Sequence, residues 1–159
     1  MINKNIASDE PIVLFAGNFE PYNWAFCKGQ LLPIRQFPDL YANLGSVSAD
    51  EDKTLFAVPD LREEEKRYGG IRFIISLSGF LDNLNFLGII IPYSGDKLPI
   101  GWEFCEGQLL NINNQALFAL IGTLYGGDGN TTFALPDLKS AAVNTRFIIS
   151  TKGPFPSRA

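Results

Sequence analysis

The stretch Trp24-Ala25-Phe26-Cys27-Lys28-Gly29-Gln30-Leu31-Leu32-Pro33-Ile34 recurs as Trp102-Glu103-Phe104-Cys105-Glu106-Gly107-Gln108-Leu109-Leu110-Asn111-Ile112, with eight of eleven positions identical at an offset of 78. Further out, Phe56-Ala57-Val58-Pro59-Asp60-Leu61 returns as Phe133-Ala134-Leu135-Pro136-Asp137-Leu138 at an offset of 77. Arg72-Phe73-Ile74-Ile75-Ser76 returns as Arg146-Phe147-Ile148-Ile149-Ser150 at 74. The order is kept and the offset drifts only through small loop changes, so the chain is a tandem duplication. The halves are read as residues 11–76 and 87–150, with residues 77–86 as the joint. Phe80, Leu81, Leu84 and Phe86 make that joint apolar, unlike a solvated linker, and it is expected to pack between the halves. A unit of about 65 residues has a marginal core alone, which favours docking or oligomerisation.

Each half reads as a β-rich α+β unit with short strands and one short helix. Ile12-Val13-Leu14-Phe15 and Ile89-Ile90-Ile91 suit strands buried on both faces. Gly17 with Pro21, and Gly95 with Pro99, mark turns before each Trp. The Trp-to-Ile blocks are predicted as hairpins turning near Lys28-Gly29 and Glu106-Gly107. In the second half Asn113 or Asn114 is placed to cap a helix carrying Leu117, Leu120, Ile121 and Leu124 at helical spacing. In the first half Pro38 and Asp39 open the equivalent segment, which Gly45 ends.

Composition narrows function. The chain has 159 residues, 46% hydrophobic and 19% charged, which excludes intrinsic disorder. Seventeen acidic against thirteen basic residues give a net charge of −4, opposed to bulk nucleic-acid binding. There is no histidine, so Ser-His-Asp and Cys-His machinery and His-containing zinc sites are excluded. The first ten residues lack the apolar core of a secretory signal, and no apolar run approaches the roughly 20 residues that span a bilayer. No catalytic residue, cofactor or metal site is predicted.

The candidate residues fall into two groups. The repeated motif supplies Trp24, Cys27, Gly29, Gln30, Pro59, Asp60 and Arg72, and again Trp102, Cys105, Gly107, Gln108, Pro136, Asp137 and Arg146. Asp60 and Asp137 are expected to shape local turns rather than to act as an acid–base pair. A carboxylate of the same repeat, Asp60 or Asp137, is the natural partner for Arg72 or Arg146. Cys27 and Cys105 are read as buried thiols, since a disulfide would require equivalent sites to meet on the pseudo-symmetry axis. The tryptophans, with Tyr22, Tyr93 and Tyr125, suit core packing better than a sugar-stacking platform. The second group is the loops where the halves differ. Gly126-Gly127-Asp128-Gly129-Asn130 lacks the Lys of a phosphate cradle and the alternating carboxylates of a calcium loop. Its counterpart, residues 46–53, carries Asp50, Glu51 and Asp52 without glycine. Both are candidate partner-contact loops. The run from Arg62 to Arg67 is read as a solvated face.

The string Trp-x-Phe-Cys-x-Gly-Gln-Leu-Leu-x-Ile, a short apolar helix, then Tyr-Gly-Gly-Asp-Gly-x-Thr-Thr-Phe-x-Leu-Pro-Asp-Leu closely resembles the phage tail collar family, which includes bacterial proteins labelled microcystin-dependent. The second half carries this pattern almost complete from Gly101 to Leu138, while the first departs in the Gly-rich loop. The resemblance implies a small β-rich unit of tail fibres and phage-tail-like particles that commonly trimerises. It implies a structural or adhesive role, other tail, fibre or adhesin subunits as partners, and residence in a virion tail or extracellular appendage after cytoplasmic synthesis. The missing histidines leave no metal-bound fibre tip of the kind some members carry. Two arrangements follow. A trimer of the fused pair would give six similar units in a ring, matching sixfold tail parts to threefold fibres. Alternatively the halves pair within one chain as a pseudo-dimer whose unlike loops meet different partners. The contrasting reading is a carbohydrate-binding adhesin module using exposed aromatics and the Gly-rich loop.

Overall fold

Ile12–Phe15, four apolar residues in succession, forms β1 and is buried throughout. In the computed structural model, which describes residues 11–45, 49–81, 84–141 and 144–158, the rest of the first half follows as β2 (Trp24–Phe26), β3 (Leu31–Pro33), α1 (Pro38–Leu44), β4 (Leu55–Ala57), α2 (Arg62–Glu65) and β5 (Arg72–Ser76). The second half repeats it as β6 (Ile89–Tyr93), β7 (Trp102–Phe104), β8 (Leu109–Asn111), α3 (Gln115–Ile121), β9 (Thr132–Ala134) and β10 (Arg146–Ser150). The absent secretory signal in residues 1–10, Ser46 to Ser48 of the first loop and Asp82-Asn83 of the joint fall outside the described residues.

The sheet order is β2-β5-β1-β6-β10-β7, all antiparallel. Each half gives three strands in the same order, and the two sets run mirror-wise outward from the β1–β6 junction. An approximate twofold axis therefore passes through that junction. Leu14 lies opposite Ile90 and Phe15 opposite Ile89, and the Ala16 N–H continues the ladder to the Gly88 carbonyl at 2.9 Å. The same register, extended the other way, sets Ile12 opposite Pro92, which has no N–H to donate.

Side chains lock the halves together. Leu120 of α3 packs over Gly17 and Gly88, where an added Cβ would approach its methyl carbons to 3.1 and 2.6 Å. Gly88 also has φ +88°, so both space and backbone require glycine there. Tyr68 stands edge-on to Phe73 and to the equivalent Phe147, with centroids 5.5 and 5.7 Å away. The Tyr125 hydroxyl donates to the Ala16 carbonyl at 2.8 Å. In the joint, Phe86 is buried against Phe15 and Trp24, with centroids 6.0 and 5.9 Å apart. Leu77 and Leu84 pack partly against the same core, but Phe80 and Leu81 are exposed.

Four local readings need correction. The Trp-to-Ile block is not a hairpin: β2 pairs with β5, and β3 pairs with β4 in a separate two-stranded sheet, as β8 does with β9. Between β2 and β3 the backbone groups of Cys27 are taken by other partners, its N–H by Phe73 and its carbonyl by Leu61, so the chain leaves one sheet for another. α3 stops at Gly122, whose φ of +51° lies outside helical geometry, so Leu124 lies beyond the helix and is exposed. Asn114 precedes α3 without a side-chain capping bond. Finally, the Arg62–Arg67 run holds α2 and a following 3-10 turn (Lys66–Tyr68) and is not wholly solvated. Glu65 is buried, and its carboxylate accepts the Phe73 N–H at 2.8 Å. This extra helical segment lies where the repeat offset drops from 77 to 74.

Candidate functional site

The repeated motif builds one turn twice. Gln30 braces the first: its Oε1 accepts the Lys28 N–H at 3.0 Å and its Nε2 donates to the Phe26 carbonyl at 2.7 Å. Gln108 does the same between Glu106 and Phe104, at 3.1 and 2.8 Å. Gly29 and Gly107 take φ of +77° and +76°, and a Cβ on either would press within 3.2 Å of the Cβ of Asp60 or Asp137. The glycine N–H groups donate to the carbonyls of Pro59 and Pro136. Gln and Gly thus hold the exit of the Trp strand against the Pro-Asp-Leu segment, which explains why these types recur together.

Arg72 and Arg146 do not pair with Asp60 and Asp137. Arg72 lies 3.5 Å above the Phe26 ring and 4.0 Å from the Glu65 carboxylate. Arg146 lies 3.3 Å above Phe104 and bonds Glu106 at 2.9 Å. The reason is topological: β5 and β10 run beside β2 and β7, whose Phe side chains meet the arginines, while each Asp faces the glycine turn. Asp60 instead takes Arg62 at 2.7 Å and Asp137 takes Lys139 at 3.4 Å. The Arg62 side-chain hydrogen bond, then its backbone N–H, lowers the Asp60 carboxyl to about 2. Each Asp is engaged by neighbours of its own half.

Cys27 and Cys105 are buried and neither is in a disulfide. Burial, with the Glu106 charge adding to it, pushes the Cys105 thiol up and keeps it protonated. Trp24 is buried, whereas Trp102 on the outer strand β7 is half-buried. Tyr22 is exposed.

The two unlike loops share an aspartate that gathers the backbone N–H groups following it. Asp128 Oδ1 accepts the N–H groups of Asn130, Thr131 and Thr132 at 2.8 to 2.9 Å, and Oδ2 accepts the Thr131 hydroxyl. The backbone donors of Thr131 and Thr132 hold this carboxyl well below the usual range. Asp50 accepts the N–H groups of Thr54 and Leu55 at 2.9 and 3.0 Å and the Thr54 hydroxyl. Asp50 and Asp128 are 78 apart and Thr54 and Thr131 are 77 apart, so one residue is lost between them. That change of offset was the legible signal. Around the shared aspartate the loops diverge. Gly127, φ +92°, lies so close to β9 that a Cβ would come within 2.4 Å of Phe133 Cα. The first loop instead exposes Glu51 and Asp52. Gly126, Gly129 and Asn130 complete the second loop, with the Gly126 carbonyl accepting from Ala134 and the Gly129 N–H donating to Thr132.

Among the described residues no group of three or more His, Cys, Asp or Glu is placed to hold a metal, and no helix is long and apolar enough to cross a membrane. The sequence profile described as Phage Tail Collar Domain matches the chain twice, over residues 10–65 and 88–143. No curated protein and no solved structure matches it.

Proposed function

Since the chain belongs to the phage tail collar domain family, whose role is structural, we propose that it is a connector in a phage tail, a tail-like particle or a related surface adhesin complex. The observation carrying this reading is the β1–β6 junction, which fuses two collar units into one continuous six-stranded sheet. A fused pair presents two related surfaces at a set angle, and the Asp50–Asp52 and Gly126–Asn130 loops make those surfaces unlike. Such a body suits a joint between two different neighbours. Leu31 and Leu109, equivalent residues exposed by 54% and 60%, offer the same apolar contact on both units. We assign them to contacts with other subunits, including further copies in a threefold ring.

Particles purified from cells that make them test the reading. The chain is expected in those particles in fixed ratio to other tail subunits, and replacing Glu51 and Asp52 by Ser is expected to reduce its incorporation without lowering its melting temperature. Particles that lack the chain, or incorporation indifferent to both loops, overturn it.

A further inference from the structure

A cleft of about 450 Å3 lies between the approach to β2 and the segment that follows β10. Its walls are tied by backbone: the Tyr22 N–H donates to the Ser157 carbonyl at 2.7 Å, Pro21 and Arg158 form a bridge, and the Leu87 N–H donates to Pro154 at 3.1 Å. Arg158 anchors the outer end by lying over the Phe19 ring at 4.3 Å. Two rings, Tyr22 and Phe155, line the cleft while remaining 66% and 47% exposed. Both carry apolar surface that the chain itself does not cover. Trp24 and Phe86, both buried, line it as well.

The remaining lining residues are Pro21, Pro154 and Pro156 and the neutral, hydrogen-bonding Asn23, Asn85, Ser76, Ser78 and Ser157, the Ser76 and Ser78 hydroxyls being bonded to each other. Among the described residues no charged side chain lines the cleft. The second unit carries different side chains at the equivalent place, although its backbone is alike. Where the first unit reads Tyr22-Asn23-Trp24 the second reads Ile100-Gly101-Trp102, and Gly101 has φ +88° where Asn23 has +66°. A left-handed backbone is met without strain by glycine, so Asn23 spends conformational freedom to put an amide at the cleft. Ser78 corresponds to Lys152, whose Cβ stands 3.5 Å from where a Cβ on Gly101 would be. A charged chain lies over that spot in the second unit.

We propose that this cleft binds a neutral saccharide unit, a function separate from the connector role. Sugars pair apolar C–H faces with a ring of hydroxyls that donate and accept. Exposed aromatic rings beside neutral amides and hydroxyls complement both features, and the volume falls in the range of small-ligand sites. An anionic ligand meets no cation among the described lining residues, and Arg158 at the outer end is turned onto the Phe19 ring. A proline-rich peptide would also use the rings, but it offers few donors to the amide and hydroxyl groups.

Titration of the full chain with galactose, glucose and N-acetylglucosamine at millimolar concentration, followed by amide and indole NMR shifts, tests the proposal. At least one sugar is expected to shift Asn23, Trp24 and Phe155 in a saturable manner. Tyr22→Ala and Asn23→Gly, both exposed and the latter suited to the backbone, are expected to weaken binding by about tenfold or more at unchanged melting temperature. Ile100→Ala, at the equivalent place in the second unit, is expected to leave binding intact. The proposal is overturned by any of three results: no sugar shifts these residues, the Tyr22 and Asn23 variants bind like the parent, or the cleft responds only to a proline-rich peptide.

Discussion

Gln108 makes two hydrogen bonds across a turn whose glycine cannot be replaced without pressing on Asp137, and its side chain closes that turn together with the Gly107 N–H to the Pro136 carbonyl. Gln108→Ala leaves the Glu106 N–H and Phe104 carbonyl without that partner and is expected to cost about 1–3 kcal/mol in urea unfolding. Asp60 gives a pH-dependent case. Its carboxyl is lowered from 3.8 to about 2 by Arg62, so its stabilisation is present above its unfolded value and is lost as pH falls through the folded one. Asp60→Asn is therefore expected to destabilise at pH 7 and to match the parent only once the pH is below about 2. Glu65 has the opposite sign: burial raises its carboxyl, outweighing the Phe73 N–H and Arg72. Glu65→Gln keeps an acceptor for Phe73, and its stability relative to the parent is expected to improve as pH rises from 4 to 7. The repeat shows that Gln, Gly, Pro and Asp recur. The contact that sets Gly29 against Asp60, however, reaches across β3, α1 and β4, and that of Gly107 with Asp137 across β8, α3 and β9, so its reason was not readable from neighbours in sequence. The partners of Arg72 and Arg146 were not legible either, because both belong to neighbours set by strand pairing.

At the scale of elements, α1 was legible from Pro38 at its start and Gly45 at its end, where the left-handed cap donates to Ala42. α3 was legible from Leu117, Leu120 and Ile121, all buried, though its end at Gly122 leaves Leu124 outside. Both helices obey signals within a few residues of each other. The Trp block misleads because hairpin signals describe a turn and say nothing about which strand accepts the hydrogen bonds. Leu120 shows what α3 is for: it fills the space above Gly17 and Gly88 and so joins the units. Leu120→Ala is expected to cost about 2–5 kcal/mol by opening a cavity at that seam. Gly88→Ala is expected to destabilise as well, since it brings both a clash with Leu120 and a left-handed φ that alanine resists. Thermal unfolding of each variant measures both effects.

At the scale of the whole molecule, the continuous sheet, the Tyr68 contacts to both Phe73 and Phe147, and the return of residues 154–158 to the first unit make one core from two. Scanning calorimetry is therefore expected to show one transition, with calorimetric and van't Hoff enthalpies equal, and Leu120→Ala is expected to shift that single transition. Two separated transitions would mean that the units unfold independently. The duplication, the β-rich unit with its short helix and the family resemblance are all carried by the sequence, because repeats, turn residues and hydrophobic spacing are local patterns that two copies state twice. Only the tertiary structure decides that β1 meets β6, that the halves are related by a twofold arrangement within one chain, and that Tyr22, Phe155 and Asn23 come together at one cleft. Those outcomes depend on contacts between residues far apart in sequence, such as Leu14 with Ile90 and Tyr22 with Ser157, whose free energy exists only once the chain has closed around them.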